Sequence, residues 1–131
     1  MIYPALVDSE SRAAADLLLA LCRAAEGFAG LRHPLVRREP LSRLDPDRAM
    51  AGAEFVLPDG RVVRFAVTLA VTGESFQVGG EVFAEERVLL DLPSRSLPEA
   101  AQALAVFEEY TQEVLSRAPW FLEELIEELS A

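Results

Sequence analysis

The chain has 131 residues, a net charge of −10 and 51% hydrophobic residues, enough for one domain burying roughly two thirds of its unfolded surface and too apolar for global disorder. No apolar run approaches a membrane span, and the lone cysteine, Cys22, excludes an internal disulfide. All twelve basic residues are arginine, with no lysine or asparagine, a bias expected of a GC-rich bacterial genome.

The N-terminal MIYPALVDSESR has no basic stretch ahead of an apolar core, so no secretory signal is expected and the cytoplasm is the expected compartment. Asp8 and Ser9 are good helix caps. Behind them Ala14, Leu17, Leu18, Leu21, Ala25 and Phe28 share one face, with Arg12, Asp16, Arg23 and Glu26 opposite. Gly27 and Gly30 supply a stop. The spacing predicts an amphipathic helix over residues 10–27.

Residues 31–50, LRHPLVRREPLSRLDPDRAM, form a proline-rich loop. Pro34, Pro40 and Pro46 each lack a backbone donor and restrict the preceding residue. A short edge strand near 35–39 and one helical turn at DPDRAM are expected. From Ala53 the period changes to two. AEFVL and RVVRFAVTLAVT flank the turn PDG, and Val63, Phe65, Val67, Leu69 and Val71 alternate with Arg64, Ala66, Thr68 and Ala70, the pattern of a sheet with one buried face. Gly73 ends that strand. ESFQVGGEVFA continues with a bulge at Gly79–Gly80, Glu85–Glu86 turn the chain, and RVLLDL is a fourth strand closed by Pro93.

SLPE, residues 96–99, reads as a capping box. The helix behind it presents Ala100, Leu104, Phe107, Thr111, Val114 and Ala118 as one stripe. Pro119 then suits the first turn of a second helix, in which Leu122, Leu125, Ile126 and Leu129 oppose Glu123, Glu124, Glu127 and Glu128. Spacing projects Trp120 toward the glutamates, although a first-turn residue is expected to fold back and be buried. The predicted architecture is α+β: an N-terminal helix, a four-stranded antiparallel meander, and two C-terminal helices packed on one sheet face. It forms a single domain over 1–131, with acidic C-terminal helices over 97–130.

Groups for catalysis are sparse. His33, the only histidine, lies between Arg32 and Pro34 and reads as an exposed loop residue, and Cys22 as a small hydrophobe at the edge of a helix face. Asp45 and Asp47 read as a turn or cap rather than a carboxylate pair. TGESFQVGGE matches no phosphate loop, and Glu81, Glu85 and Glu86 match no calcium loop. No catalytic, cofactor or metal residue is predicted.

Charge is uneven. Residues 1–48 carry seven acids and seven arginines, residues 49–98 seven acids and four arginines, and residues 99–131 eight glutamates and only Arg117. Such a field repels nucleic acid and favours a basic protein. The loop arginines, Arg37 and Arg38 among them, can pair with the C-terminal glutamates within the chain or across a dimer. The candidate partner-binding residues are therefore Trp120, Glu123, Glu124, Glu127, Glu128, Arg37 and Arg38.

The passage RVLLDLPSRSLPEAAQALAVFEEY, with the chain's size and acidity, resembles type III secretion chaperones, a likeness that implies a homodimer holding an extended segment. That family inserts a helix between its third and fourth strands, and none is predicted here. In type the chain is also similar to small acidic immunity proteins, which neutralise a toxin without catalytic residues. The expected function is a non-enzymatic protein-binding module of immunity or inhibitor type that masks a basic partner. A chaperone-like homodimer is the alternative. A small-molecule site on the sheet's second face, among Arg64, Thr68, Thr72 and Gln77, is the alternative of another class.

Overall fold

The computed structural model describes the backbone of residues 4–130, and side chains at Arg12 and from 15 to 129. Helix α1 runs Pro4–Ala29. Six strands follow: β1 Arg37–Pro40, β2 Arg43–Asp45, β3 Arg48–Val56, β4 Val62–Thr72, β5 Ser75–Ala84 and β6 Arg87–Leu97. Helix α2, Ala100–Ser130, ends the described chain. All strand pairings are antiparallel in one sheet ordered β1-β3-β4-β5-β6, and β2 shares with β1 the outer edge of β3. The α+β class holds, but six strands and one long C-terminal helix replace the four strands and two helices expected.

Each difference has a local cause. Helix α1 begins before residue 10, so the expected caps Asp8 and Ser9 lie inside it; their side chains and that of Ala14 lie outside the described residues. The proline-rich loop supplies two edge strands, because Pro40 interrupts the ladder only briefly. In the gap the Gly52 amide donates to Ser42 Oγ at 3.2 Å instead of to a strand. DPDRAM is not a helical turn: Pro46 and Asp47 form the β2–β3 turn, and the Asp47 carbonyl accepts from the Val71 amide at 2.8 Å. β3 starts at Arg48, before the predicted Ala53, and alternates buried Ala49, Ala51, Ala53 and Phe55 toward the helices. Gly52 is required here, since an added Cβ would lie 2.2 Å from the Phe65 carbonyl oxygen on β4.

β6 passes through Pro93 to Leu97, an arrangement open to an edge strand because its outward amides have no ladder partner. The irregularity predicted at the paired glycines falls opposite Gly79, where β5 steps from Val78 to Gly80 while β6 steps from Arg95 to Leu92. Tyr110 on α2 donates its hydroxyl to the Pro93 carbonyl and ties the bulge to the helix. Ser96 belongs to β6, opposite Gln77, so the expected capping box does not form; the Glu99 carbonyl instead accepts from the Ala103 amide.

Pro119 lies inside α2 and does not end it. The helix loses one backbone hydrogen bond there, but the buried stripe continues in phase: Val114 and Ala118 before the proline, Phe121, Leu122 and Leu125 after it, each at most 7% exposed. Burial on both sides of the proline outweighs the missing bond. Both helices cover the same sheet face, α1 over β3 and α2 over β4 to β6. The core between the layers centres on Phe28, Phe55, Phe65 and Phe107, with Phe55 and Phe65 packed edge to face at 5.6 Å. The other face of the sheet carries no covering layer among the described residues.

Candidate functional site

Because α2 is continuous, its outer surface is one stripe. Trp120, Glu123, Glu124 and Glu127 stand at i, i+3, i+4 and i+7, and all are exposed. Trp120 is 61% exposed, and the ring of the neighbouring Phe121 meets it edge on at 5.2 Å. The expectation that Trp120 folds back is therefore corrected. It is a mid-helix residue on the solvent side, not the first residue of a new helix.

The glutamates divide into two kinds. Glu123 Oε1 accepts from His33 Nε2 at 2.8 Å, and His33 Nδ1 accepts from the Leu35 amide at 3.1 Å. A ring nitrogen that accepts from an amide carries no proton, so the proton sits on Nε2 and is donated to Glu123. The His33 side chain is only 11% exposed, which corrects its reading as an exposed loop residue. Its role is to fasten the α1–β1 loop to α2.

Glu128 is the other structural acid. It meets Arg61 of the β3–β4 turn at 3.3 Å and Arg87 of the β5–β6 turn at 3.1 Å. The hydrogen bond from Arg87, then that from Arg61, holds its carboxyl below the usual glutamate range. Arg61 also pairs with Asp59 at 2.7 Å, and the Arg61 backbone amide is the main influence lowering the Asp59 carboxyl. Two turns thus clamp the C-terminal end of α2. Glu124 and Glu127 have no cation within 4.0 Å among the described residues, and they flank Trp120 unpaired.

Within the chain, the loop arginines make no ion pair with the acidic helix among the described residues. Arg37 pairs locally with Glu39 at 3.1 Å and Arg43 with Asp45 at 3.2 Å. Arg38, half-buried, lines a hollow with His33, Leu31 and Phe55. Near the C-terminal end of α2, Glu128 takes its cations from the hairpin arginines Arg61 and Arg87, and Glu123 its hydrogen bond from the His33 ring. No spacing rule links Glu128 to arginines 67 and 41 residues away, so the sequence held no signal for this clamp.

The uncovered sheet face is the second candidate. Small residues on it, Ala70 and Gly79, leave a hollow of about 410 Å³ bordered by Arg48, Thr68, Gln77, Glu81, Asp91 and Ser94. Thr68 and Gln77 were expected there; Arg64 and Thr72 lie outside its lining. Glu81 and Asp91 stand directly opposite each other in the β5–β6 register. Arg64 has a buried Nε without a partner, and its terminal nitrogen lies 3.7 Å from Met50 Sδ. No group of three or more histidine, cysteine, aspartate or glutamate side chains is arranged to hold a metal ion among the described residues. No helix among them is long and apolar enough to cross a membrane.

A third surface escaped the sequence reading. Leu18, assigned to the buried face of α1, is 50% exposed, and Leu19 is 48% exposed. The signal was present in the run LLLAL, because three successive leucines span a wider arc than one sheet can cover. No family model matches the chain, and no curated protein or solved structure matches it either.

Proposed function

We propose that this chain is a non-enzymatic protein-binding module that engages a basic partner through the outer stripe of α2, in the manner of an immunity or inhibitor protein. The observation that supports this most strongly is Trp120. A large aromatic 61% exposed on a well-packed helix, beside two carboxylates with no cation within 4.0 Å among the described residues, has the composition of an interface anchor with a charged rim. The carboxylates steer a basic surface inward and the indole supplies the apolar area once it arrives. Glu123 and Glu128 keep the helix in place and are not themselves free to recognise. The exposed thiol of Cys22 suits a reducing compartment, consistent with a cytoplasmic setting.

The test is capture from host extract by the tagged wild type, Trp120→Ala, and the double variant Glu124→Arg/Glu127→Arg. It is run at low salt and at about 0.5 M, where screening falls to a few ångströms. A stoichiometric basic protein held by the wild type at low salt and lost from both variants supports the proposal. Equal retention by the variants, or no partner at all, counts against it.

A small-molecule site on the open sheet face is the second reading, favoured by a hollow there whose lining includes Arg48, Thr68, Gln77, Glu81 and Asp91. Native mass spectrometry of the purified chain, with a retained mass removed by Gln77→Ala, would favour that reading instead.

A further inference from the structure

The outer face of α1 carries an ordered pattern of charge that the fold leaves unused. Leu18, Leu19 and Cys22 are exposed on it, with Ala15 beside them. Arg12, Asp16, Arg23 and Glu26 are exposed on the same side, and none has an opposite charge within 4.0 Å among the described residues. Along the helix their signs run plus, minus, plus, minus. Read backwards, the order is minus, plus, minus, plus, so a copy laid antiparallel meets an opposite charge at every position.

The geometry is specific. At about 100° per residue, Arg12 and Glu26 fall about 20° to either side of Leu19, while Asp16 and Arg23 share one flank at about 40–60°. A two-fold axis at Leu19 therefore brings Arg12 to the partner's Glu26 and Asp16 to the partner's Arg23, with each contact made twice. Leu18 and Cys22 occupy the opposite flank, beside a mainly apolar hollow of about 430 Å³ that includes Leu17, Leu44 and Val71. Leu44 and Val71 are themselves 51% and 40% exposed.

We infer that α1 is the seam of a symmetric homodimer, two copies packed antiparallel about Leu19 with four inter-subunit ion pairs flanking an apolar centre. Helix α1 from Arg12 to Glu26 is about 21 Å long at about 1.5 Å per residue. The contact is at the small end of specific interfaces, so micromolar self-association is expected. The seam is independent of the reading given for α2, and either one can fail without the other.

Sedimentation velocity of the full chain across concentrations up to about 100 µM tests it. The wild type is expected to dimerise. Asp16→Arg and Arg23→Asp singly weaken association at least about tenfold, and the double variant Asp16→Arg/Arg23→Asp returns it to near the wild-type value. Recovery on exchanging the two charges depends on their meeting across the seam, and all four residues are exposed, so folding is unaffected; unchanged thermal melting verifies this. In a Cys22→Ala background, Leu19→Cys is expected to crosslink to its mate with a short bis-maleimide. A monomeric wild type, a double variant as weak as the single ones, or failure of Leu19→Cys to crosslink in a dimer would each overturn the inference.

Discussion

Truncation of Leu125 to alanine tests whether the segment beyond Pro119 belongs to the core. Leu125 is 1% exposed and lies on the stripe that continues Val114, Ala118, Phe121 and Leu122. Removing a fully buried leucine side chain costs about 2–5 kcal/mol, through lost transfer energy and the cavity left behind. For a chain of this length the unfolding entropy is about 0.28 kcal/mol/K, so a loss of about 3 kcal/mol lowers Tm by about 11 °C. Circular dichroism melting at 222 nm reads the shift. Trp120→Ala on the outer stripe is the control and should cost under about 1 kcal/mol. A Leu125→Ala variant that melts within about 2 °C of wild type would mean the final turns do not pack on the sheet, and α2 as described would be wrong.

Three further outcomes follow from the same geometry. Pro119→Ala gives the helix a donor for the Leu115 carbonyl and should raise stability by about 1–2 kcal/mol; a lower Tm would show that the proline is accommodated by a local geometry the alanine disturbs. Gly52→Ala places a methyl group against the β4 backbone and should cost at least about 2 kcal/mol, read by urea unfolding; a neutral result would contradict the close approach of β3 and β4. Glu128→Gln removes a carboxylate held below its usual range by Arg87 and Arg61. A depressed carboxyl stabilises the fold above its unfolded value and loses that contribution as pH falls through the folded one. The Tm gap from wild type is therefore greatest near neutral pH and closes below about pH 4. A gap independent of pH would show that the two turn arginines do not act through charge.

What could be read from the sequence was set by contrast between neighbouring residues. The alternation from Val63 to Val71 is sharp because large apolar side chains alternate with arginine, threonine and alanine, and it gave β4 and its buried face as far as Leu69, with Val71 exposed at the strand end. The start of β3 was missed because Ala49, Ala51 and Ala53 differ little from Met50 and Gly52 in bulk or polarity. Their inward direction is fixed by pairing with β4, not by their own pattern. Pro93 and Pro119 misled for one reason. A local rule assigns each a break, but an edge strand tolerates the first and burial of Phe121, Leu122 and Leu125 carries α2 past the second. Phase continuity across Pro119 was legible; the weight of that burial against one lost hydrogen bond was not.

The candidate site was partly legible for similar reasons. Helical spacing alone set Trp120 with Glu123, Glu124 and Glu127. Which of those acids are already engaged depends on His33, Arg61 and Arg87, contacts made by tertiary folding across long sequence separations. Only with those partners in view do Glu124 and Glu127 stand apart as the unpaired pair beside the indole.

Trp120 is the only tryptophan in the chain, so its fluorescence reports directly on the surface proposed to bind. The free protein should emit as a water-exposed indole and be quenched readily by acrylamide. With the captured basic partner added at saturation, the emission should shift to the blue and quenching should be lost, with neither change in Glu124→Arg/Glu127→Arg. A partner that binds while Trp120 remains equally red-shifted and equally quenchable would contradict the claim that this stripe is the interface.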